Sequence, residues 1–340
     1  MLVGAILVVG KAHEPWECAE PGMLGGAPAS CVELLGQSTL DRVVQKLQHD
    51  GVTLINIVVR DEFAALVRTP ATQSATINSV PPQTELWSAA ECSLREYAQH
   101  GVELVMLTRL GAYVEIDWGH LIRFHRGTNQ AVTALTKEHE RLESWIIDAC
   151  EVRKIASVGL PVLVDREGLP GLEPYSIPGY VCRLEEAADL RRLVVDAFLS
   201  RNSIRPQGSE VRPGVWLGAG AQVHRRARIV APAFLGGGAK LRADSLVTHF
   251  SAVERGCDVH QGTVIEDASV LANTYVGKGL NVAHAVVNGN RLVPLRHHTV
   301  IEIADSKLLG RTAAAIPPRS MTGGASSTSL AERLLATAWN

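Results

Sequence analysis

The sequence predicts two architectures in tandem: an α/β domain over residues 1–204 and an all-β parallel solenoid over residues 205–310, with a low-complexity tail over residues 311–340. Three observations carry this reading. Apolar runs at Leu2–Val9, Thr53–Val59 and Val102–Leu107 alternate with helical patterns, the order expected of a mostly parallel sheet. From Val211 to Leu271 a large aliphatic residue returns at every sixth position. Between these stretches lies a Pro/Gly-rich stop, "RPQGSEVRPG", at Arg205–Gly214.

Composition narrows the function classes. The chain has 340 residues, 46% hydrophobic and 20% charged, enough for two cores. A net charge of -2 and 5% aromatics argue against a nucleic-acid partner. The apolar run at the N-terminus is short and lacks a basic flank, so it reads as a buried strand rather than a signal peptide. No apolar run is long enough to cross a bilayer. The six cysteines are scattered without a C-x-x-C pair, which fits a reducing cytoplasm and gives zinc little support.

In the first half, Ser38–Asp41 opens a helix through Val44 and Leu47 that ends near Gly51. A second helix runs from Thr84, its expected cap, to His100, with Gly101 after it. A third is expected from Trp118, with Asp117 as its cap. Leu184–Ser203 is amphipathic, with Leu190, Leu193, Val194 and Ala197 inward.

The period-six stretch places Leu217, Val223, Ile229, Leu235, Leu241, Val247, Val253, Val259 and Ile265 on one phase with Val211 and Leu271. A mostly small residue follows four positions after each. This resembles the hexapeptide repeat of left-handed parallel β-helices, in which three units close one triangular coil. Eighteen residues per coil would stack Gly220, Gly238 and Gly256 at one corner, where positive φ suits glycine. Beyond Asn288 the phase is lost, and Thr299–Ile303 reads as a strand covering the open end. In the tail, Ser329 would cap a short helix carrying Leu330, Leu334, Leu335 and Trp339, either docked or frayed.

The same register aligns His224, Arg242, His260 and Lys278 in a basic ladder, with Glu254 and Glu266 as nearby counter-ions. The ladder either holds an anionic partner, such as a phosphate, a sugar nucleotide or another subunit's acidic face, or is a solvated stripe.

"GAILVVG" at the start, "PASCVELLGQSTLDRVVQKLQHDGV" at Pro28–Val52 and "ELVMLTRLGAYVEIDWGHLIRFHR" at Glu103–Arg126 resemble the sugar-phosphate nucleotidyltransferases, the NDP-sugar pyrophosphorylases. Pro28, Gly36 and Leu40 keep the frame of one motif of that family; Asp117, Leu121, Phe124 and His125 keep that of another. The resemblance implies a Rossmann-like nucleotidyltransferase-type sheet, and many members carry a C-terminal left-handed β-helix. The departures bear on chemistry. The family's G-x-G-T-R loop survives only as Gly10 in "VVGKAHEPWECAEPGMLGG", its lysine falls at Ala29, and its magnesium aspartate falls at Gly111. Phosphoryl chemistry depends on such cations.

The expectation is a degenerate, binding or regulatory relative in nucleotide-sugar or polysaccharide metabolism. It would bind a nucleotide sugar or sugar phosphate near Gly10, Lys11, His13 and Asp117, and need Mg²⁺ only if nucleotidyl transfer survives. It would form homo-oligomers or hetero-oligomers with an active relative. Lys11 also fits a solvated loop residue. Two enzyme alternatives stand beside this: a divergent pyrophosphorylase with rebuilt metal ligands, and a hexapeptide-repeat acyltransferase using His224, His249, His260 or His284 as general base. An unbroken six-residue phase leaves no loop to close an acyl-transfer site.

Overall fold

The computed structural model describes residues 2–10, 24, 27–148, 173–297 and 299–312. The apolar runs form the centre of a sheet. β1 (Val3–Val9) lies between β4 (Leu54–Arg60) and β6 (Leu104–Arg109), parallel to both. β5 (Thr76–Val80) extends the parallel side. β8 (Val132–Lys137) and β9 (Glu140–Asp148) add antiparallel pairs beyond β6, and β10 (Tyr175–Ser176) closes that edge. The seven-strand order is β10-β8-β9-β6-β1-β4-β5.

Both faces of β1 are covered, which explains its unbroken apolar run. Ile6 and Val8 pack with Trp87 and Leu94 of a helix at Leu86–Gln99. Ala5, Leu7 and Val9 pack with Leu40, Val44 and Leu47 of a helix at Thr39–His49. In chain order the helices are α1 (Thr39–His49), α2 (Leu86–Gln99), α3 (Trp118–Thr128) and α4 (Ala187–Phe198). Ser38 caps α1 through Asp41 N, as expected. Thr84 does not cap α2: the N-cap position belongs to Glu85, which makes no side-chain cap bond. The Thr84 carbonyl instead accepts from Arg60.

The second half winds in coils of three short strands: β13 (Val215–Leu217), β14 (Gln222–Val223) and β15 (Arg228–Ile229), then β16 (Ala233–Leu235), β17 (Lys240–Leu241) and β18 (Leu246–Thr248). β19 (Ser251–Val253), β20 (Asp258–Val259) and β21 (Val264–Glu266) make the third coil. β22 (Ser269–Val270), β23 (Thr274–Val276) and β24 (Asn281–Ala283) make the fourth, and β25 (Ala285–Asn288) begins a fifth. Each strand pairs in parallel with its counterpart one coil on, giving three parallel sheets. This winding is consistent with a β-helix. Leu235, Leu241, Val247, Val253, Val259 and Ile265 stack inside it. Gly220, Gly238 and Gly256 have φ of 69°, 65° and 68°, the corner conformation their column requires.

Three expectations about the repeat are corrected. Val211 is exposed, because β12 (Ser209–Arg212) runs antiparallel on β13 and does not start a coil. The six-residue phase is also broken. Thr248 pairs with Glu266 but Ala252 pairs with Ser269, so the corner at Asp267 is one residue shorter. Thereafter Val270, not Leu271, points inward, and Leu271 packs outside the coil. The far end is covered by β26 (Arg291–Pro294), antiparallel to β25, and by β28 (Leu309–Arg311), antiparallel to β23. The strand expected at Thr299–Ile303 is β27 (Ile301–Glu302), which adds to β26.

One outer face of the coils is itself a core. Phe234, Ala252, Leu271 and Val286 pack against Leu190, Leu193 and Val194 of α4 and against Leu34 and Leu35. β2 (Glu33–Leu34) and β3 (Gln37–Ser38) form a hairpin whose turn holds Leu35 and Gly36 at φ of 55° and 85°, the pattern of a tight right-twisted turn.

Close coil spacing gives a testable consequence. A Cβ on Gly236 would lie 2.5 Å from Arg255 N and 2.7 Å from the Glu254 carbonyl carbon. Gly236→Ala must therefore separate two coils, at an expected cost of about 1–3 kcal/mol or more. Gly238→Ala meets nothing within 4 Å and carries only its positive φ, a cost of about 1–2 kcal/mol. Thermal unfolding of the two variants should show the larger fall for Gly236→Ala; equal falls would contradict the close coil contact.

Candidate functional site

In open parallel sheets, ligands bind beyond the carboxyl ends of the strands where the strand order reverses. Here that point lies between β1 and β6, since β4 and β5 follow on one side of β1 and β6 on the other. Gly10 ends β1 there. A Cβ on it would sit 2.4 Å from Leu86 Cδ1, so any larger residue would have to turn the Leu86 side chain aside where the strand end meets the start of α2. The first turn of α2 has no side-chain cap. Its N–H groups and the helix dipole favour an anion at this end.

Arginines border the crevice. Arg60 Nη1 donates to the carbonyls of Pro81 (3.1 Å), Pro82 (2.7 Å) and Thr84, fixing the approach to α2. Arg109, at the end of β6, pairs with Glu143 of β9. The two residues after Arg109 carry no carboxylate. Leu110 is buried in the α1-side core, with its N–H on Val8 O, and Gly111 turns back onto Arg109 O. Behind them a small cavity of about 30 Å³ is lined by Leu7, Val43, Met106, Leu110, Ile116 and Trp118, with Thr108 and Ser144 contributing hydroxyls. This lining suits apolar contact, not a hydrated cation. Among the described residues no three His, Cys, Asp or Glu side chains are placed to hold a metal ion.

Among the described residues Gly10 is the one sequence-expected ligand residue placed at this crevice. Lys11 and His13 lie outside the described residues. Asp117 caps α3: its Oδ1 accepts from His120 N at 2.9 Å. That backbone bond holds its carboxyl below the ordinary range. No hydrogen bond joins it to Gly10. His125 is buried on α3, where its Nδ1 meets Thr133 Oγ1 at 2.8 Å and its Nε2 lies 3.7 Å from Asp148. Burial lowers its pKa, against the pull of Asp148.

The ladder on the coils is shorter than expected and carries other counter-ions. His224, Arg242 and His260 follow the paired residues Val223, Leu241 and Val259. Val259 pairs with Val276, so the fourth place is Gly277, and the short corner at Asp267 puts Lys278 one residue out of line. Arg242 binds Asp258 through Nε (2.8 Å) and Nη2 (2.7 Å), Arg226 pairs with Asp244, and His260 packs at a tilt against Tyr275 with ring centroids 5.5 Å apart. Glu254 is not among the counter-ions. It is fully buried, and its two oxygens accept from Leu35 N at 2.7 Å and Gly36 N at 2.9 Å. Glu266 faces His249 at 3.5 Å.

Sequence reasoning missed Arg60 and Arg109 at the crevice and, on the coils, Asp267 and through it Arg191 as the partners of His284, itself a sequence-expected candidate base. The ends of "TLINIVVR" and "VELVMLTR" were the available signal, since a charge closing an apolar run marks a strand's carboxyl end. On the coils, His284 Nδ1 lies 2.7 Å from Asp267 Oδ2, and Arg191 Nη2 lies 2.7 Å from Asp267 Oδ1. Burial raises the Asp267 carboxyl, but His284 and Arg191 outweigh it and hold the group below its ordinary range. Among the described residues no helix is long and apolar enough to cross a membrane. Comparison of the chain with protein families and with curated proteins gives no match in either case.

Proposed function

We propose that this protein binds a nucleotide sugar or sugar phosphate at the β1/β6 crevice without transferring the nucleotidyl group. The coils, read as a left-handed β-helix, serve as its assembly module beside a nucleotidyltransferase-like sheet. The observation that carries this reading is the uncapped N-terminus of α2 closed against Gly10 at the point where strand order reverses. Such an end offers N–H groups and a positive dipole to a phosphate.

The described residues do not fit a magnesium centre. The position that the family resemblance assigns to the metal carboxylate is Gly111, and its neighbour Leu110 is buried among apolar side chains. Among the described residues the crevice's arginines are already engaged, Arg60 by the carbonyls of Pro81, Pro82 and Thr84 and Arg109 by Glu143, rather than held ready for charge developing on a transferred phosphoryl group. Binding and turnover therefore separate.

A panel of nucleotide sugars, sugar 1-phosphates and nucleotides in a thermal-shift assay tests this. At a ligand concentration of about a hundred Kd, stabilisation should approach ~2.7 kcal/mol. Arg109→Ala, which removes a charge at the crevice, should reduce the shift. No shift from any phosphorylated ligand would remove the proposal.

A second reading rests on the His284–Asp267 bond, in which a carboxylate orients an imidazole as in base catalysis. Acyl transfer from acetyl-CoA, abolished by His284→Ala, would establish it; unchanged acetyl-CoA over the assay would dismiss it.

A further inference from the structure

The two ends of the coil stack are finished differently. At the far end, β26 and β28 lie antiparallel on β25 and β23. At the near end, β12 covers β13, but β14 and β15 begin their sheets with no strand beyond them among the described residues. The backbone shows which groups are left. Gln222 N and His224 N donate to Ala239 O and Leu241 O of the next coil, at 2.8 and 2.9 Å. In a strand, alternate residues turn their polar groups to opposite sides. The N–H and C=O of Val223 therefore point off the end of the stack. On β15, the outward Ile229 carbonyl is already taken by Arg212.

The side chains around this edge are apolar at the centre and basic at the rim. Val223 and Val230 are 38% and 44% exposed. Arg225 and Arg228 are exposed and make no ion pair among the described residues, while Arg226 is held by Asp244. A second copy docking edge to edge would bring these arginines against themselves. Residues 313–340 carry Arg319 and Arg333 against Glu332 alone, so they do not supply the complementary charge.

We propose that the open first coil receives an extended acidic segment of a partner protein. The segment adds a strand at Val223 of β14 and continues past the next corner towards β15, setting apolar residues on Val223 and Val230 and carboxylates on Arg225 and Arg228. Strand addition supplies backbone bonds, and the rim charges select the partner. This reading does not depend on what binds at the β1/β6 crevice.

Fluorescence anisotropy with a labelled Glu-Val-Glu-Val-Glu-Val peptide tests it, with Lys-Val-Lys-Val-Lys-Val as the control. The acidic peptide should bind at least about tenfold tighter, and its affinity should fall as salt is raised. Arg225→Glu with Arg228→Glu should reverse the preference. Val223→Pro deletes only the outward N–H and should weaken binding by about tenfold, with the far-ultraviolet spectrum unchanged. Equal binding of both peptides, or acidic-peptide binding unaffected by the double arginine variant, would overturn the proposal. So would a self-associated protein in sedimentation whose association Val223→Pro abolishes, because the edge would then be taken by a second copy.

Discussion

Arg191→Met is expected to be the most destabilising single substitution named here, at about 3–5 kcal/mol. Arg191 is buried on α4 at the seam between the sheet and the coils. Its Nη1 donates to Phe250 O at 2.8 Å and its Nη2 to His249 O at 3.2 Å, while Nε and Nη2 reach Asp267 Oδ1 at 3.2 and 2.7 Å. His249 and Phe250 hold φ of 53° and 58°, a conformation that non-glycine residues adopt only when their surroundings hold them there. Methionine fills the volume but leaves two carbonyls and a carboxylate short of donors. Arg191→Lys keeps the charge without the planar fork and should recover only part of the loss. Urea unfolding at constant pH measures both. A loss below about 1 kcal/mol for Arg191→Met would show that the seam does not depend on this side chain.

The second large effect is a pH dependence at the other side of the same seam. Burial pushes the Glu254 carboxyl up to about 8 from an ordinary 4.5, although the Leu35 and Gly36 N–H bonds pull it down. Between those values the folded protein keeps the proton and the unfolded chain has released it. Stability from this group is therefore greatest below 4.5, declines as pH rises towards 8, and is level above that. The decline has an upper limit of about 1.4 kcal/mol per pH unit. Glu254→Gln cannot titrate, and its amide sets a donor against one of the two N–H groups. The stability of the natural protein minus that of Glu254→Gln should then shrink steadily across the window. A difference that stays flat, or grows with pH, would contradict a carboxyl destabilised by burial.

The repeat was legible because stacking demands it: each inward position must match the one a coil away, so Leu235, Leu241 and Val253 announce themselves. The glycine column was legible for the same reason. The shortened corner at Asp267 was not, since removing one residue shifts the phase by a single step, and Leu271 is as aliphatic as the Val270 that replaces it inside. That step displaced Lys278 from the ladder. The strands and helices of the first half followed from periodicity, and the cap at Asp117 followed from its side chain. Thr84 misled because an arginine from β4 claimed its carbonyl.

The seam between the halves could not be read at all. Glu254 and Leu35 are far apart in sequence, and a glutamate in a solenoid turn looks like any solvated charge until the hairpin that meets it is in place. The crevice was half visible. Gly10 was found as what the family resemblance leaves of a glycine-rich loop, whereas the pairing of Arg109 with Glu143 needs the antiparallel return of β9.

The central claim is that ligand binding at the β1/β6 crevice survives without the groups that hold magnesium. Titration calorimetry of the best-stabilising nucleotide sugar, with and without Mg²⁺, addresses it most directly, with pyrophosphate followed in parallel samples that contain a nucleoside triphosphate and the matching sugar 1-phosphate. The account predicts equal affinities and no pyrophosphate from a nucleoside triphosphate and the matching sugar 1-phosphate. Affinity that requires Mg²⁺, accompanied by pyrophosphate release, would contradict it.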